Sequence, residues 1–237
     1  ELESLIIAPN QRWLVSTDSE GRVLRWDLNS SQIEQSHDDL LSGGARIGAI
    51  LILPDNQWLF AGDDEGKYSM FKLNRPGSTP IIYFAGEQPA TSLIANSNAS
   101  RILGASADGH IRSWQWSNHE LSETTIGIHT AQAVKVVLDS TGTMALSASW
   151  DGHAFFWDFT MPGENPKPLS LVGDGKELNT VAFSPDGHWI AAAGKGGKVW
   201  LWPTAHCRLS LANQDLVKLP REISTPKNDR PSAKPIT

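Results

Sequence analysis

Cysteine is almost missing from this 237-residue chain. Cys207 stands alone, so no intramolecular disulfide can form and the fold must hold without covalent staples, as is usual in a reducing, cytoplasmic setting. Long apolar runs are missing too. The longest, Ile47 to Leu53, is stopped by Pro54 and Asp55, far short of the roughly 18 residues of a membrane-crossing helix. No basic start followed by an apolar stretch marks a secretory leader, and a chain that begins at Glu1 instead of Met reads as one with more polypeptide upstream. Positive charge is scarce in the body. The first 215 residues hold 15 Lys and Arg against 24 Asp and Glu, a net charge of −9, which argues against nucleic acid, whose binding rests on basic contacts to phosphate.

Catalytic and metal signatures are equally scarce. The seven histidines form no H-E-x-x-H pair and Cys207 has no second cysteine beside it, so no zinc site is expected. Asp63-Asp64-Glu65-Gly66 lacks the alternation and distal Glu of a calcium loop, and Gly194-Lys195-Gly196-Gly197-Lys198 lacks the spacing and Ser/Thr of a phosphate loop. Both read as turns, and no cofactor or metal is expected.

What the chain does have is a repeat. Gly21, Gly66, Gly109, Gly152 and Gly197 are each followed five residues later by an aromatic residue, Trp26, Phe71, Trp114, Trp157 and Trp202, in steps of 45, 43, 43 and 45 residues. A second turn signal begins twelve residues before each glycine: Pro9-Asn10-Gln11, Pro54-Asp55-Asn56, Ser97-Asn98-Ala99, Ser140-Thr141-Gly142 and Pro185-Asp186-Gly187. The residues between these turns are short and β-rich, so each unit reads as strand, turn, strand, turn, strand. About 15 residues between units leave room for a fourth, outer strand. Four strands in a period of 40 to 45 residues is the blade of a β-propeller, which buries each face on the next blade.

On these residues the chain resembles the WD-repeat family over about residues 1 to 205. Two units end in the dipeptide itself, Trp26-Asp27 and Trp157-Asp158. The resemblance implies an all-β propeller of four-stranded antiparallel blades, with repeats centred on 1–30, 45–75, 89–118, 129–160 and 176–205. These form one domain over 1–212, followed by a basic, proline-rich flexible tail over 213–237. Family rings usually close with seven blades, so five imply further blades, or an effector domain, upstream. The fourth unit also matches the family's buried hydrogen-bond tetrad, at His129, Ser147, Asp151 and Trp157, a structural set expected to close with the Trp157 indole. Ser-His-Asp in a hydrolase triad is the alternative reading, disfavoured by the lack of a G-x-S-x-G elbow. Glu20 and Glu65 fall at the turn-acid position of the first two units, where the family has Asp.

The family's docking face carries over by position to the residue before each turn acid and to the start of each first strand. It contains Trp150, Arg46, Asp64, Gln132, Glu177, Asn179 and Lys195, with Gly48 and Thr91 among its small residues. Trp150 is the expected anchor, since a tryptophan on an exposed turn has no core to fill. Trp13, Trp58 and Trp189 share one column and are expected to pack between blades, an aromatic ligand cage being the alternative. The function implied is a non-catalytic scaffold or sensor in signalling that docks a protein or peptide, with no nucleic acid and no membrane. The competing reading is an enzymatic propeller of the quinoprotein or hydrolase sort, working from the central channel.

Overall fold

The computed structural model describes residues 1–84, 86–117, 120–161, 167–213 and 220–224. They form five four-stranded antiparallel sheets in chain order. Blade 1 comprises β1 (Leu2–Ile7), β2 (Trp13–Asp18), β3 (Arg22–Asp27) and β4 (His37–Ser42). Blade 2 comprises β5 (Ile47–Ile52), β6 (Trp58–Asp63), β7 (Lys67–Lys72) and β8 (Ile81–Phe84). Blade 3 follows with β9 (Ala90–Ala95), β10 (Ile102–Ser106), β11 (His110–Ser117) and β12 (Glu120–Ile128), and blade 4 with β13 (Ala133–Leu138), β14 (Met144–Ser149), β15 (His153–Asp158) and β16 (Leu169–Val172). Blade 5 is β17 (Leu178–Phe183), β18 (Trp189–Gly194), β19 (Lys198–Pro203) and β20 (Arg221–Ser224), with the helix α1 (Thr204–Asn213) inserted before its last strand.

Both turn signals do what their residues allow. The third residue of each first turn, Gln11, Asn56, Ala99, Gly142 and Gly187, has positive φ, as do all five period-marking glycines. The second strands β6 and β10 are buried at every position, because a sheet covered on both faces has no solvent side to alternate with.

Four apolar cores join the five blades. Val15, Val23, Leu59 and Phe71 lie between blades 1 and 2; Phe60, Tyr68, Met70 and Trp114 between 2 and 3; Leu103, Ile111, Val136 and Trp157 between 3 and 4; and Phe156, Val181, Ile190 and Trp202 between 4 and 5. Each third-strand aromatic thus packs back onto the preceding blade, and burying one such side chain contributes about 1.5–3 kcal/mol. Blade 1 keeps an uncovered flank among the described residues. Leu2, Leu5 and Ile7 are 72%, 64% and 55% exposed on β1, and Trp26 is only half-buried.

The expected boundary at residue 212 needs correction. Arg221–Ser224 pairs with β19 as the outer strand of blade 5, and residues 204–213 are helical, so chain assigned to a flexible tail completes the last blade. An edge left bare on β19 would expose a row of unpaired backbone groups, and this late strand covers it. The rest of that tail, 214–219 and 225–237, lies outside the described residues.

Backbone approach between blades is closest at Gly48, where a Cβ would stand 2.1 Å from the Ala90 carbonyl oxygen. Gly48→Ala must push β5 from β9 and is expected to destabilise the chain by about 1–3 kcal/mol, read as a lower urea midpoint; an unchanged midpoint would mean that the two strands are not in contact.

Candidate functional site

Each blade presents the same pair of backbone positions at one end. The residue before each inner turn donates its N–H to the carbonyl of the residue that leads into the first strand: Ser19 to Glu1, Asp64 to Arg46, Ala107 to Pro89, Trp150 to Gln132 and Lys195 to Glu177, all at 2.8–3.0 Å. The next position but one, at Glu3, Gly48, Thr91, Val134 and Asn179, is a β-bulge in all five blades. A bulge re-aims its side chain, and three of these reach the following blade. The Glu3 carboxylate pairs with Arg46 at 2.7 Å, Gly48 lies against Ala90, and Thr91 Oγ1 donates to the Ala133 carbonyl at 2.6 Å.

Of the predicted face residues, Arg46, Asp64 and Gln132 line one open hollow of about 410 Å³ across blades 2 to 4, floored by Gly48, Thr91 and Val134. Trp150 stands beside it through the Gln132 bond and is 44% exposed. Lys195 Nζ lies 5.6 Å from the Trp150 ring centroid and 2.5 Å from the Glu177 carboxylate. Asn179 is exposed on blade 5 and lines no part of the hollow.

Beneath this face, blade 4 holds a buried polar set. His129 Nδ1 faces the Asp151 carboxylate at 3.0 Å and Nε2 faces Ser147 Oγ at 2.8 Å. A carboxylate can only accept, so Nδ1 carries the proton and Nε2 accepts from the Ser147 hydroxyl. Burial pushes the imidazole below its ordinary 6.5, against the pull of Asp151. Asp151 is itself held low: burial would raise it, but the His153 and Thr130 N–H groups and the imidazole outweigh that. The Trp157 indole does not close the set. It lies across Gly127 and donates to the Ile126 carbonyl at 3.3 Å, because the absent side chain at Gly127 lets the ring slide over β12. Ser147 is wholly buried, so its hydroxyl has no cleft in which to meet a substrate.

Blades 1 to 3 solve the same problem with residues that the spacing does not reveal. In blade 3 the place of the imidazole is taken by Arg112, whose guanidinium lies over Gly86; a Cβ there would stand 2.9 Å from Nη2. Arg112 binds Asp108 at 2.7 Å and Glu123 at 3.4 Å and donates to Ser106 Oγ, while the Trp114 indole donates to Glu123. In blades 1 and 2 the turn is held by carboxylates two residues before Glu20 and Glu65. Asp18 accepts the N–H groups of Glu20 and Arg22, and Asp63 those of Glu65 and Lys67. An acid two places ahead of the glutamate in both units is the signal that spacing alone passes over.

Trp13 is buried with the Arg12 and Arg25 guanidinium carbons each 4.3 Å from its centroid, and Trp58 meets Trp116 edge-on at 5.3 Å. Both belong to the cores between blades. Cys207 is buried on α1, which pushes its thiol up to about 12. Among the described residues no group of three His, Cys, Asp or Glu could hold a metal ion, and no helix is long and apolar enough to cross a membrane.

Two stretches, 122–158 and 167–203, match the family described as WD domain, G-beta repeat. The chain is also 32% identical over 105 residues to the WD repeat-containing protein SL1-17 of Schistosoma mansoni, a match that covers 44% of this chain and 34% of that relative. The match therefore spans about a third of the relative's length.

His129→Ala orphans the Asp151 carboxylate and the Ser147 hydroxyl and is expected to cost about 1–3 kcal/mol at pH 7. The sign of the pH dependence follows from the lowered imidazole. The unfolded chain takes up a proton near 6.5 and the folded chain does not, so the native protein loses stability as pH falls below 6.5. The gap in melting temperature between wild type and variant should accordingly narrow on acidification. A gap that is absent at pH 7, or that widens in acid, would contradict the assigned tautomer.

Proposed function

The chain is a WD-repeat protein, and on that premise we propose that it is a non-catalytic scaffold that docks a protein or peptide segment across the ends of blades 2 to 5. WD-repeat proteins generally act as interaction scaffolds and the family is typically non-catalytic. The observation that carries the reading is Trp150: a large ring nearly half exposed at a rim, with an ion pair on one side and a hollow on the other. Tryptophan in such a place is the usual anchor of an interface, because it buries much area at little rotamer cost. The Lys195–Glu177 pair fixes one side of the ring, and Arg46 and Asp64 present one charge of each sign across the hollow to orient a bound segment.

The uncovered flank of β1 supports a second element of the proposal, that blade 1 packs on a further blade or domain of a larger signalling assembly. Its apolar residues are of the kind that the inner blades bury against one another.

Trp150→Ala should leave the melting temperature unchanged and reduce partner recovery at least about tenfold, a loss ordinary for a truncated anchor. Co-precipitation from source-cell lysate with wild type and variant side by side measures this. Equal recovery by the two proteins would move the docking site off this face.

A further inference from the structure

The opposite end of blade 2 carries a charge arrangement that differs from that of blades 1 and 4. In blades 1, 2 and 4 the first residue of the second strand faces the last residue of the third. The pairs are Trp13 with Asp27, Met144 with Asp158 and Trp58 with Lys72. In blades 1 and 4 the third-strand residue is an aspartate with two kinds of donor around it. Asp27 takes a guanidinium from Arg12 at 3.2 Å and the N–H of Asn29 at 3.0 Å. Asp158 takes Arg208 at 2.6 Å and the N–H of Thr160 at 2.9 Å. Blade 2 keeps the backbone donor, has other cations nearby and lacks the acceptor. Lys72 replaces the aspartate, Arg75 follows three residues on, and the Asn74 N–H, the counterpart of the Asn29 and Thr160 groups, has no acceptor among the described residues. Neither Lys72 nor Arg75 has an ion-pair partner there.

These groups surround an open cleft of about 200 Å³ lined by Gln57, Trp58, Lys72, Asn74 and Arg75. Lys72 Nζ is held 5.2 Å from the Trp58 ring centroid, which restrains the ammonium at the cleft wall. Two cations, a free backbone donor and two side-chain amides converge with no anion among them, in a protein whose body is acidic.

We propose that this cleft is a binding site for a carboxylate side chain of an acidic peptide segment, which supplies from outside the charge that Asp27 and Asp158 supply from within. The carboxylate takes the Asn74 N–H and lies between Lys72 and Arg75, a backbone N–H and cationic contact of the kind that Asp27 and Asp158 make internally in blades 1 and 4. This site is at the far end of the blade from Trp150 and is independent of the docking face proposed above.

The test uses the whole chain and a fluorescein-labelled peptide of alternating Glu and Ser, with binding read by fluorescence polarisation at low ionic strength. Lys72→Asp rebuilds the pattern of blades 1 and 4 and so should fold with an unchanged melting temperature, while weakening the peptide about tenfold or more. Arg75→Ala should weaken it by a smaller factor. Lys176→Asp makes the same charge change on the Trp150 side of the molecule and should leave binding as in wild type. Equal weakening by Lys72→Asp and Lys176→Asp would reduce the effect to net charge and overturn the proposal, as would wild-type binding by Lys72→Asp. A matched phosphoserine peptide that binds where the Glu peptide does not would overturn the carboxylate assignment.

Discussion

In the first four repeats the glycine that marks the period is a place where two backbones meet. A Cβ on Gly21 would stand 2.4 Å from the Ala45 carbonyl oxygen, on Gly66 2.5 Å from that of Gly86, and on Gly109 2.4 Å from that of His129. In every case the second backbone is the connection that has just left the outer strand of one blade for the first strand of the next. No side chain can sit there, and the positive φ that closes the turn favours glycine for a second reason. Everything at this end of the molecule depends on that contact. It sets where the next first strand begins, hence where its bulge falls, hence which side chains face the hollow. It also places His129, whose N–H donates to the Gly109 carbonyl at 2.9 Å, with its ring over Asp151 in the following blade. At Gly197 in the last blade a Cβ would meet nothing within 4 Å among the described residues.

Around this fixed backbone the polar chemistry is free to vary. Blade 4 satisfies its turn with an imidazole and a carboxylate, blade 3 with a guanidinium between two carboxylates, and blades 1 and 2 with aspartates that bind turn N–H groups. The ionised forms are held by their partners. Asp108 is pulled well below the ordinary range: burial would raise it, but Arg112, Ser106 and the His110 N–H more than offset that. Glu123, on the other side of the same guanidinium, is pushed up by burial in spite of it. Each solution sets turn donors against acceptors, and each is compatible with the same glycine and the same strand spacing.

That division explains what could be read from the sequence. Glycine, proline and aromatic positions follow from backbone geometry, so the five blades and their turns were legible from spacing, while the residues of the strand-start face came by position from the family resemblance. Arg112 was not, because a guanidinium reaching back from within a strand leaves no mark on the period. Nor was Trp157 to Ile126, which depends on a glycine in the neighbouring blade. The last strand of blade 5 was hidden by the helix inserted before it and by flanking Pro220 and Pro226, whose composition suggests a linker. Asn179 shares its bulge position with Thr91 and Val134, yet lies one blade beyond the hollow that they floor.

The stretches that match the family begin in an outer strand and end with the third strand of the following blade, as 122–158 runs from β12 to β15. The unit of sequence is therefore offset by one strand from the unit of structure. Excising one such unit would take the outer strand of one blade together with the three inner strands of its successor, and the successor's own outer strand would be left to pair with the blade that had lost its edge. Whole units can in this way be gained or lost during descent with every sheet still four-stranded, whereas a cut at a blade boundary would sever the connection that rests on the glycine. Units can thus be counted out in any number, and the offset between them and the blades is what keeps each one fastened to the next.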